Sequence, residues 1–591
     1  MMLAIQTLSL SKSLWPKCVF ICFRKTQWRS RYTTLAEAVG DVLSSSNDHI
    51  SDIVIIPSES GDRVVDSDVE DSNDEQLDQT NLPSDVAGQL EVHHEQSDSD
   101  EEETPPVLAK KRQKVDPPKW KKIDRVALPS SPSPLGKVGE EHITKDEFDI
   151  FRLFFTDDMI SNLVDQTILY AQRDKNNPSF TMTADDMRQF LGLLLVSGYH
   201  SLPGENDYWS TAEDLAAPVF VHTMARDKFR SIKRYLHVAD NHHLTGSKVA
   251  KVAPLYESLT TQFQQFGIFH EHLSIDEEMV PYHGHHSAKM FIRNKPIRFG
   301  FKLWMLCSSD GYPYNMQIYC GKQGEDDTTP LGTRVVNHLL ACISDPASHV
   351  VYFDNFFTSY QLVKDLATRN IRAIGTIRDN RTSHCPLTST AVMKKQDRGS
   401  YDYRSDGQVA CVRWNDNSVV TLASNHVVVK PLKSAKRRVK AVKAKEVPQP
   451  YVVHKYNKGM GGVDILDRML SSYRPRLRSK KWWWNLFSNG LNMAVVAAYR
   501  FYNYLHPQDT VTHLNFRRTI AVSLLKAQPD RVRLGGPTAP TVNAVRYDGV
   551  NHHLASCAQG RCVLCQRNTR LHCIKCSKRL HKHCSDFYHA K

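Results

Sequence analysis

The sequence predicts an α/β protein in which a mixed sheet is flanked by helical segments and followed by a cysteine-rich tail. Short apolar runs between residues 273 and 377 give the order strand, hairpin, strand, helix, strand, which is typical of a mixed sheet. Apolar residues at helical spacing lie on both sides of this region, in residues 144–269 and 456–505. The tail carries six cysteines between Cys557 and Cys584, and such clustering without a secretory signal indicates a metal site.

The chain of 591 residues is longer than one ordinary domain, and we expect three or four folded units. Residues 61–104 contain sixteen acids and one base, and residues 1–60 carry a net charge of +1. Because the whole chain carries +12, residues 105–591 carry +26. This surplus favours a polyanionic partner, most simply nucleic acid, over an inert basic surface. Because the sequence has no apolar run of about 18 residues, no membrane-spanning helix and no membrane partner are expected.

Residues 1–130 are interpreted as a disordered acidic leader, because between residue 35 and about residue 125 Ser, Asp, Glu and Pro are frequent and aromatic residues are almost absent before Trp120. The first 36 residues contain six bases and no acid, a composition shared by transit peptides and unstructured leaders. The basic run from Lys110 to Lys114 is typical of a nuclear import signal or a nucleic-acid contact, and equally of a solvated charge run. We expect a location in the nucleus.

Helical segments are predicted at residues 131–271 and 474–545. Two pairs of residues in the first segment have the spacing of a capping box: Thr144 with Glu147, and Thr183 with Asp186. In the second segment a long apolar helix follows Lys480 and reaches Leu505. A linker bearing Pro and Gly, near residues 535–540, precedes the tail.

Residues 272–380 are predicted to form the first part of the α/β core. The predicted strands are Leu273–Ile275, Phe299–Cys307, Tyr314–Tyr319, Val350–Phe353 and Ile371–Ile377. The tripeptide Ser309-Asp310-Gly311 predicts a hairpin turn, and a helix is expected from about Ser359 to Arg369.

Residues 381–450 interrupt this core and are interpreted as a β-rich insertion domain. Short β-like pieces lie at residues 410–414 and 418–423. Residues 430–445 contain eight bases and no acid, which indicates a mobile basic loop or a disordered linker. Helical spacing then returns in residues 451–473, the last part of the core.

Four aspartates are candidates for chemistry. Asp276 and Asp354 terminate predicted core strands, and carboxylates at strand ends of one sheet can converge. Asp464 and Asp467 stand three apart on a predicted helix and share one face. Carboxylates that meet need cations, and hard oxygen ligands favour Mg²⁺ or Mn²⁺. Strand-end aspartates are also common as turn formers and helix caps.

These residues fall in blocks that resemble the piggyBac transposase family. The blocks lie in family order across residues 140–591 and are Ser274-Ile275-Asp276-Glu277, Arg293-Asn294-Lys295-Pro296, Gly300-Phe301-Lys302, Val351-Tyr352-Phe353-Asp354-Asn355-Phe356-Phe357 and Tyr456-Asn457-Lys458-Gly459-Met460-Gly461-Gly462-Val463-Asp464-Ile465-Leu466-Asp467. The acidic leader also resembles that of the family.

The resemblance implies an RNase H-like catalytic domain whose metal-binding carboxylates are Asp276, Asp354 and Asp464, with Asp467 as an accompanying fourth. It implies cut-and-paste transposition of double-stranded DNA at TTAA targets, with hairpin intermediates. It also implies a helical dimerisation and DNA-binding domain that flanks the core, and thus a homodimer bound to transposon ends. Trp482–Trp484 fall where the family has a tryptophan-bearing segment, although core packing explains at least two such residues.

Two functional interpretations remain open at the level of sequence. In the first, the protein is an active DDE/D-type DNA transposase, since no departure occurs at the four acids. In the second, it is a domesticated DNA-binding or chromatin protein that keeps the fold and the tail without transposition activity.

The tail, residues 556–591, has the spacing of a zinc-binding cross-brace with two ions. We expect one set to be Cys562, Cys565, His581 and His583, and the other to be Cys573, Cys576, Cys584 and His589. For the position of His583, Cys557 and His572 are alternatives. The resemblance implies that this domain reads transposon-end DNA, and seven basic residues agree with that role: Arg561, Arg567, Arg570, Lys575, Lys578, Arg579 and Lys582.

Overall fold

The structure is a computed structural model that describes residues 29–32, 50–56, 89–94, 117–135, 138, 140–292, 295, 297–321, 329–439, 442–527, 546–547, 549 and 551–590. The basic run Lys110–Lys114 and the predicted linker at 535–540 lie outside the described residues. Among the described helices, none has both the length and the low polarity needed to cross a bilayer.

Fourteen α-helices lie in the described residues. They are α1 Glu147–Phe154, α2 Asp157–Leu169, α3 Ala184–Ser197, α4 Pro218–Thr223, α5 Arg226–Tyr235, α6 Ala253–Gln264, α7 Leu331–Leu339, α8 Tyr360–Thr368, α9 Thr390–Met393, α10 Tyr451–Gly459, α11 Gly462–Ser472, α12 Trp484–Leu505, α13 His513–Leu525 and α14 Lys582–His589.

Sixteen β-strands accompany these helices in the described part of the chain. They are β1 Arg29–Tyr32, β2 Ile50–Ile56, β3 Gln89–His94, β4 His272–Pro281, β5 Lys289–Phe291, β6 Phe299–Ser308, β7 Pro313–Ile318, β8 Val350–Phe353, β9 Arg372–Thr376, β10 Tyr401–Ser405, β11 Ala410–Asn415, β12 Val419–Ser424, β13 Lys433–Val439, β14 Val442–Gln449, β15 Leu554–Arg561 and β16 Asn568–Cys573.

Twelve of the strands form one mixed sheet. The order is β1-β3-β2-β5-β6-β4-β8-β9-β12-β11-β10, with β7 paired to β6. The pairs β4–β8 and β8–β9 are parallel, whereas β4–β6 and β6–β7 are antiparallel. The hairpin between β6 and β7 turns at Gly311, whose φ of +95° suits glycine. The predicted mixed α/β sheet is therefore present.

The leader is not wholly without structure, which corrects the interpretation of residues 1–130. Strands β1, β2 and β3 join the sheet through the pairing of β2 with β5. The segment at 50–56 is rich in isoleucine and valine, which favour strands. Residues 117–135, here called the N-terminal strap, follow the opposite edge of the sheet, where Lys121 pairs with Ser405.

The predicted insertion at 381–450 shares the core sheet. Strand β12 pairs antiparallel with β9, and β11 and β10 continue outward. The predicted mobile basic loop at 430–445 is instead largely the hairpin β13–β14. The hairpin has a small apolar face that favours strand pairing. In this face Ala435 lies opposite Val447, and both are buried. The basic side chains of a strand can point to solvent from the other face.

One of the two predicted capping boxes is present. The Thr183 hydroxyl accepts from the Asp186 amide at 3.1 Å, and the Asp186 carboxylate accepts from the Thr183 amide at 3.0 Å. The box at Thr144 was wrong: α1 starts at Glu147, and Asp146 caps it by accepting from the Asp149 amide at 2.7 Å. Thr144 lies two residues too early to reach the first turn.

Helix α12 forms the centre of the helical part and packs against α1, where the rings of Phe154 and Phe501 are 5.8 Å apart. Trp483 and Trp484 are 2% and 1% exposed, so two of the three tryptophans pack in the core as expected. Trp482 is half-buried and stacks on His286 with ring centroids 4.0 Å apart. Trp484 also donates from Nε1 to the carbonyl of Leu477 at 2.8 Å.

Replacing Trp484 with alanine should therefore lower the free energy of unfolding by about 3–5 kcal/mol, since a large buried ring leaves a cavity. Trp482→Ala, at a half-buried position, should cost less than half as much. Denaturant unfolding followed by circular dichroism would measure both changes. Equal costs at the two positions would contradict this account of the core.

Candidate functional site

Asp276 and Asp354 lie side by side on neighbouring strands. Strands β4 and β8 are parallel and pair Ile275 with Phe353, so the two aspartates follow at the same level of the sheet. The prediction that the strand ends at Asp276 was wrong, because β4 continues to Pro281 along β6. Asp276 therefore projects from the middle of a long strand, whereas Asp354 directly follows β8.

Glycines bring the end of helix α10 and the start of helix α11 close to the sheet. A Cβ on Gly462 would lie 1.9 Å from the carbonyl oxygen of Ser308, and a Cβ on Gly459 would lie 2.1 Å from the ring of Tyr352. Gly461 caps the helix with a φ of +103°, a conformation that side chains disfavour. This contact places Asp464, in the first turn of α11, beside the sheet.

Three acids influence the same tyrosine, although their carboxylate oxygens do not all lie within 4.8 Å of one another. Tyr456, on α10, interacts with the charges of Asp354, Asp276 and Asp464, although burial is the main reason why its pKa is raised. Burial and the charge of Glu277 raise the pKa of Asp276 well above its usual range, and Asp354 adds to this effect. The pKa of Asp354 is raised for the same first two reasons. A cation would relieve this repulsion.

Basic side chains border the acids. The ammonium of Lys295 is 3.4 Å from the carboxylate of Glu277 and interacts with the charges of Asp276 and Asp464. Burial opposes ionisation of Glu277, but Lys302 and Lys295 outweigh it and lower its pKa. The two lysines thus stabilise the ionised form of Glu277. Asp276, Asp354 and Asp464 remain the candidates for binding a metal cation.

Asp467 takes a different position from the other three aspartates. It interacts with Glu278, the fully buried acid of β4, and with Arg474. Burial raises the pKa of Asp467 to about 6 and that of Glu278 to about 8. Asn489 donates to Glu278 at 2.9 Å. The sequence did not indicate Glu278, because an acid beside Asp276 and Glu277 suggests a strand end rather than a buried strand centre.

The tail brings eight side chains together in two interleaved sets. Within each set, all ligand atoms lie within 4.8 Å of one another. The first set is Cys562, Cys565, His581 and Cys584, and the second is His552, Cys573, Cys576 and His589. In the described residues, only these two sets bring three or more such atoms that close.

The predicted ligand sets need two corrections. Cys584 belongs with the first set, because its Sγ lies 3.9 Å from Nδ1 of His581. His583 belongs to neither set, and its ring stacks on that of His581 at 5.3 Å. The side chains of His581 and His583 point in different directions because α14 begins between them, immediately after His581. The alternatives Cys557 and His572 also lie outside both sets.

His552 completes the second set and was missed from the sequence. Its Nδ1 lies 3.5 Å from the Sγ of both Cys573 and Cys576. It stands ten residues before Cys562, ahead of the predicted start of the tail at residue 556. The adjacent histidines His552 and His553 could have indicated a metal ligand. However, a ligand on a loop has no fixed distance in sequence from the other ligands of its set.

The first set has a thiol that ionises readily. Burial opposes ionisation of Cys562, but backbone N–H groups, led by that of Cys565, outweigh it and lower the pKa of Cys562 to about 6. Nδ1 of His581 lies 3.3 Å from Sγ of Cys565. Two or more thiolates with imidazole nitrogens form the donor set that zinc prefers. Both sets fit this description.

Comparison with known proteins identifies the class of the chain. A family model described as transposase IS4 matches residues 146–499. This match exceeds half of the chain and includes all four aspartates, which places the protein in the transposase class.

Its relatives narrow the class to a family. The human piggyBac transposable element-derived protein 3 is 34% identical over 486 residues, 80% of this chain and 81% of the relative. The human piggyBac transposable element-derived protein 2 is 31% identical over 454 residues, 75% of this chain and 76% of the relative. The chain belongs to the piggyBac transposase family.

A solved structure shares the fold. The cryo-EM structure of a piggyBac transposase synaptic complex with hairpin DNA matches with a TM-score of 0.57 and 22% identity. The match covers 76% of this chain and 100% of that one.

Gly462→Ala should lower the free energy of unfolding by about 1–3 kcal/mol, because the new Cβ must push α11 away from the sheet. Gly246→Ala is the matched control, since nothing lies within 4 Å of its Cβ position. Thermal unfolding would compare the two. A Gly462→Ala protein as stable as the control would contradict the close contact.

Proposed function

We propose that the protein is a metal-dependent DNA transposase that acts by cut-and-paste at TTAA sites. The observation that carries this proposal is the placement of Asp276, Asp354 and Asp464 around Tyr456 on a mixed sheet. Family membership supports the same activity, and an RNase H-like core is part of the proposal. The hairpin ends implied by the family resemblance are part of the proposal.

The donor set of the three aspartates suits Mg²⁺ or Mn²⁺. Glu277 repels Asp276 and Asp354, Asp354 repels Asp276, and the three aspartates offer only oxygen ligands, as these hard cations require. When bound, such ions supply Lewis acidity at the phosphate and favour ionisation of the attacking hydroxyl. Asp467, whose charge interacts with those of Glu278 and Arg474, accompanies them as the fourth acid.

Each step of the proposed reaction is a balanced phosphoryl transfer. In cleavage, a water oxygen forms a bond to phosphorus, the bond from phosphorus to the 3′-oxygen breaks, and a 3′-hydroxyl is released. In hairpin formation, that 3′-hydroxyl attacks a phosphate of the opposite strand and the 3′-oxygen of that strand leaves; attack by water on the hairpin phosphate then releases the 3′-hydroxyl again. In transfer, the 3′-hydroxyl attacks a target phosphate, and the target's own 3′-oxygen leaves. Lys295, at the border of the acids, contacts the phosphate backbone.

Double-stranded DNA is the proposed partner, with the transposon ends and the TTAA target bound by a homodimer in the nucleus. The charge of +26 on residues 105–591 supports a polyanionic partner. The solved piggyBac transposase that shares the fold is a complex with DNA.

The tail is proposed to hold two Zn²⁺ ions and to contact DNA. A unit of about forty residues has little core, so the ions would contribute much of its folding free energy. Arg567, Arg570 and Lys578 are among the bases that would reach phosphates.

A second candidate function is that of a transposon-derived DNA-binding protein without transposition activity. The names of the human relatives support it, because they describe proteins derived from a transposable element. The tail would serve either function. Catalysis by the aspartates separates the two candidates.

An excision assay tests the first function. A reporter interrupted by DNA with the terminal repeats that flank the gene should be restored by the wild-type protein. Asp354→Asn should reduce restoration to the background of an empty vector, because one carboxylate ligand becomes a neutral amide. Asp365→Asn, at an exposed position on α8, should retain wild-type excision. Wild-type activity no higher than that of Asp354→Asn would reject the catalytic proposal for these ends and favour the second candidate.

Metal analysis tests the tail. The wild-type protein should contain about two zinc ions by mass spectrometry under native conditions. His552→Ala should contain about one, because its set loses a ligand, whereas His583→Ala should still contain two. A His583→Ala protein with one ion and a His552→Ala protein with two would restore the ligand sets expected from the sequence.

A further inference from the structure

The N-terminal strap contains an unusual sequence, Ser130-Ser131-Pro132-Ser133-Pro134. Ser131 and Ser133 are the only serines in the whole chain that are followed by proline. Kinases of the proline-directed class recognise a Ser-Pro or Thr-Pro dipeptide in extended backbone. Thr104 and Thr329 are the two threonines that precede proline.

Both serines are accessible in the folded chain. Ser131 and Ser133 are exposed, and the strap around them has no helix or strand. Four hydrogen bonds hold this part of the strap. Arg372 donates to the carbonyls of Pro129 and Ser131 at 3.0 and 2.8 Å, the Ser133 amide donates to the Ala347 carbonyl at 2.9 Å, and the Ser348 hydroxyl donates to the Pro134 carbonyl at 3.3 Å. A segment held so lightly can detach locally and enter a kinase cleft.

A recess that contains one ammonium group lies next to the serines. A depression of about 410 Å³ is lined by Ser131, Ser133, Glu271, Tyr451 and Lys455. Lys455 is half-buried on α10, and its ammonium lies 5.8 Å from the ring of Tyr451. A phosphate on either serine would therefore be introduced into a recess that already contains an ammonium group.

The charges around the recess favour an added anion. Arg372 is 4% exposed, and its guanidinium donates to three neutral carbonyls, those of Pro129, Ser131 and Ala347. Glu271 interacts with the charge of Arg372 and is the one acid in the lining of the recess. The lining itself thus holds one ammonium group, that of Lys455, and one carboxylate, with Arg372 close to both the strap and Glu271. A phosphoserine would bring between one and two further negative charges.

We propose that Ser131 and Ser133 are phosphorylation sites for a proline-directed serine/threonine kinase, and that the phosphate pairs with Lys455 to fasten the strap onto α10. The serine Oγ forms a bond to the γ-phosphorus of ATP, the bond from that phosphorus to ADP breaks, and the hydroxyl proton passes to the kinase base.

This modification would act near the aspartate site without touching it. Lys455 precedes Tyr456, whose side chain interacts with Asp276, Asp354 and Asp464. The same helix ends at Gly459, which packs on Tyr352 of β8. Fastening the strap would therefore restrict the helix that leads into α11. The proposal does not depend on transposition activity.

The first experiment asks whether the sites are used. The purified full chain is incubated with a proline-directed kinase and ATP, and phosphopeptides are mapped by mass spectrometry. Phosphate is expected at Ser131, Ser133 or both, but not at Ser130, which serine follows. A double Pro132→Ala, Pro134→Ala variant keeps both hydroxyls and should lose the modification. Modification of a free peptide of residues 127–137 but not of the full chain would overturn the proposal.

The second experiment asks where the phosphate goes. Phosphorylation should slow tryptic cleavage after Arg125 by about threefold or more, because a charge-assisted contact stabilises the closed strap. Lys455→Gln should abolish that slowing, and Lys458→Gln, on the same helix but outside the recess, should keep it. Equal slowing in wild type and Lys455→Gln would refute the contact with α10. An unchanged cleavage rate in phosphorylated wild type would refute it as well.

Discussion

The parallel pairing of β4 with β8 is the constraint on which the rest of the site depends. It sets Ile275 against Phe353 and so brings two aspartates that are 78 residues apart in sequence to the same level of one sheet. Helix α11 then has to approach this level closely enough to add Asp464, and a Cβ on Gly462 or Gly459 would prevent it. The geometry of the site therefore depends on strand pairing and on glycines at the contact with the sheet, as well as on the acids themselves.

Much of the core was predictable because its strands are short apolar runs. β8 has the predicted bounds, and β6, β7 and β9 differ from their predicted bounds by one or two residues. β4 was cut short because three successive acids, Asp276 to Glu278, are untypical of a buried strand. They are tolerated there because Lys295 and Lys302 compensate Glu277, while Asn489 and a raised pKa accommodate Glu278. These compensating groups lie far away in the chain and leave no local signal.

The tail shows the same division between local and distant information. The Cys-x2-Cys spacing located both cysteine pairs, because two intervening residues allow both thiolates to bind the same metal ion. Which histidines join each pair depends on how the hairpin β15–β16 and helix α14 fold over each other, and spacing alone does not contain that information. His552 and Cys584 were therefore missed or misplaced, whereas Cys562 and Cys565 were grouped correctly.

Interleaving of the two Cys/His sets has a consequence for how the tail loses structure. In chain order the ligands alternate between the sets, from His552 to Cys562 and Cys565, then Cys573 and Cys576, then His581 and Cys584, and finally His589. Each set thus encloses part of the other, and neither can open without releasing segments that the other holds. With metal in both sets, each ion would help to hold the segments that carry the ligands of the other, so loss of one ion would weaken the retention of the second.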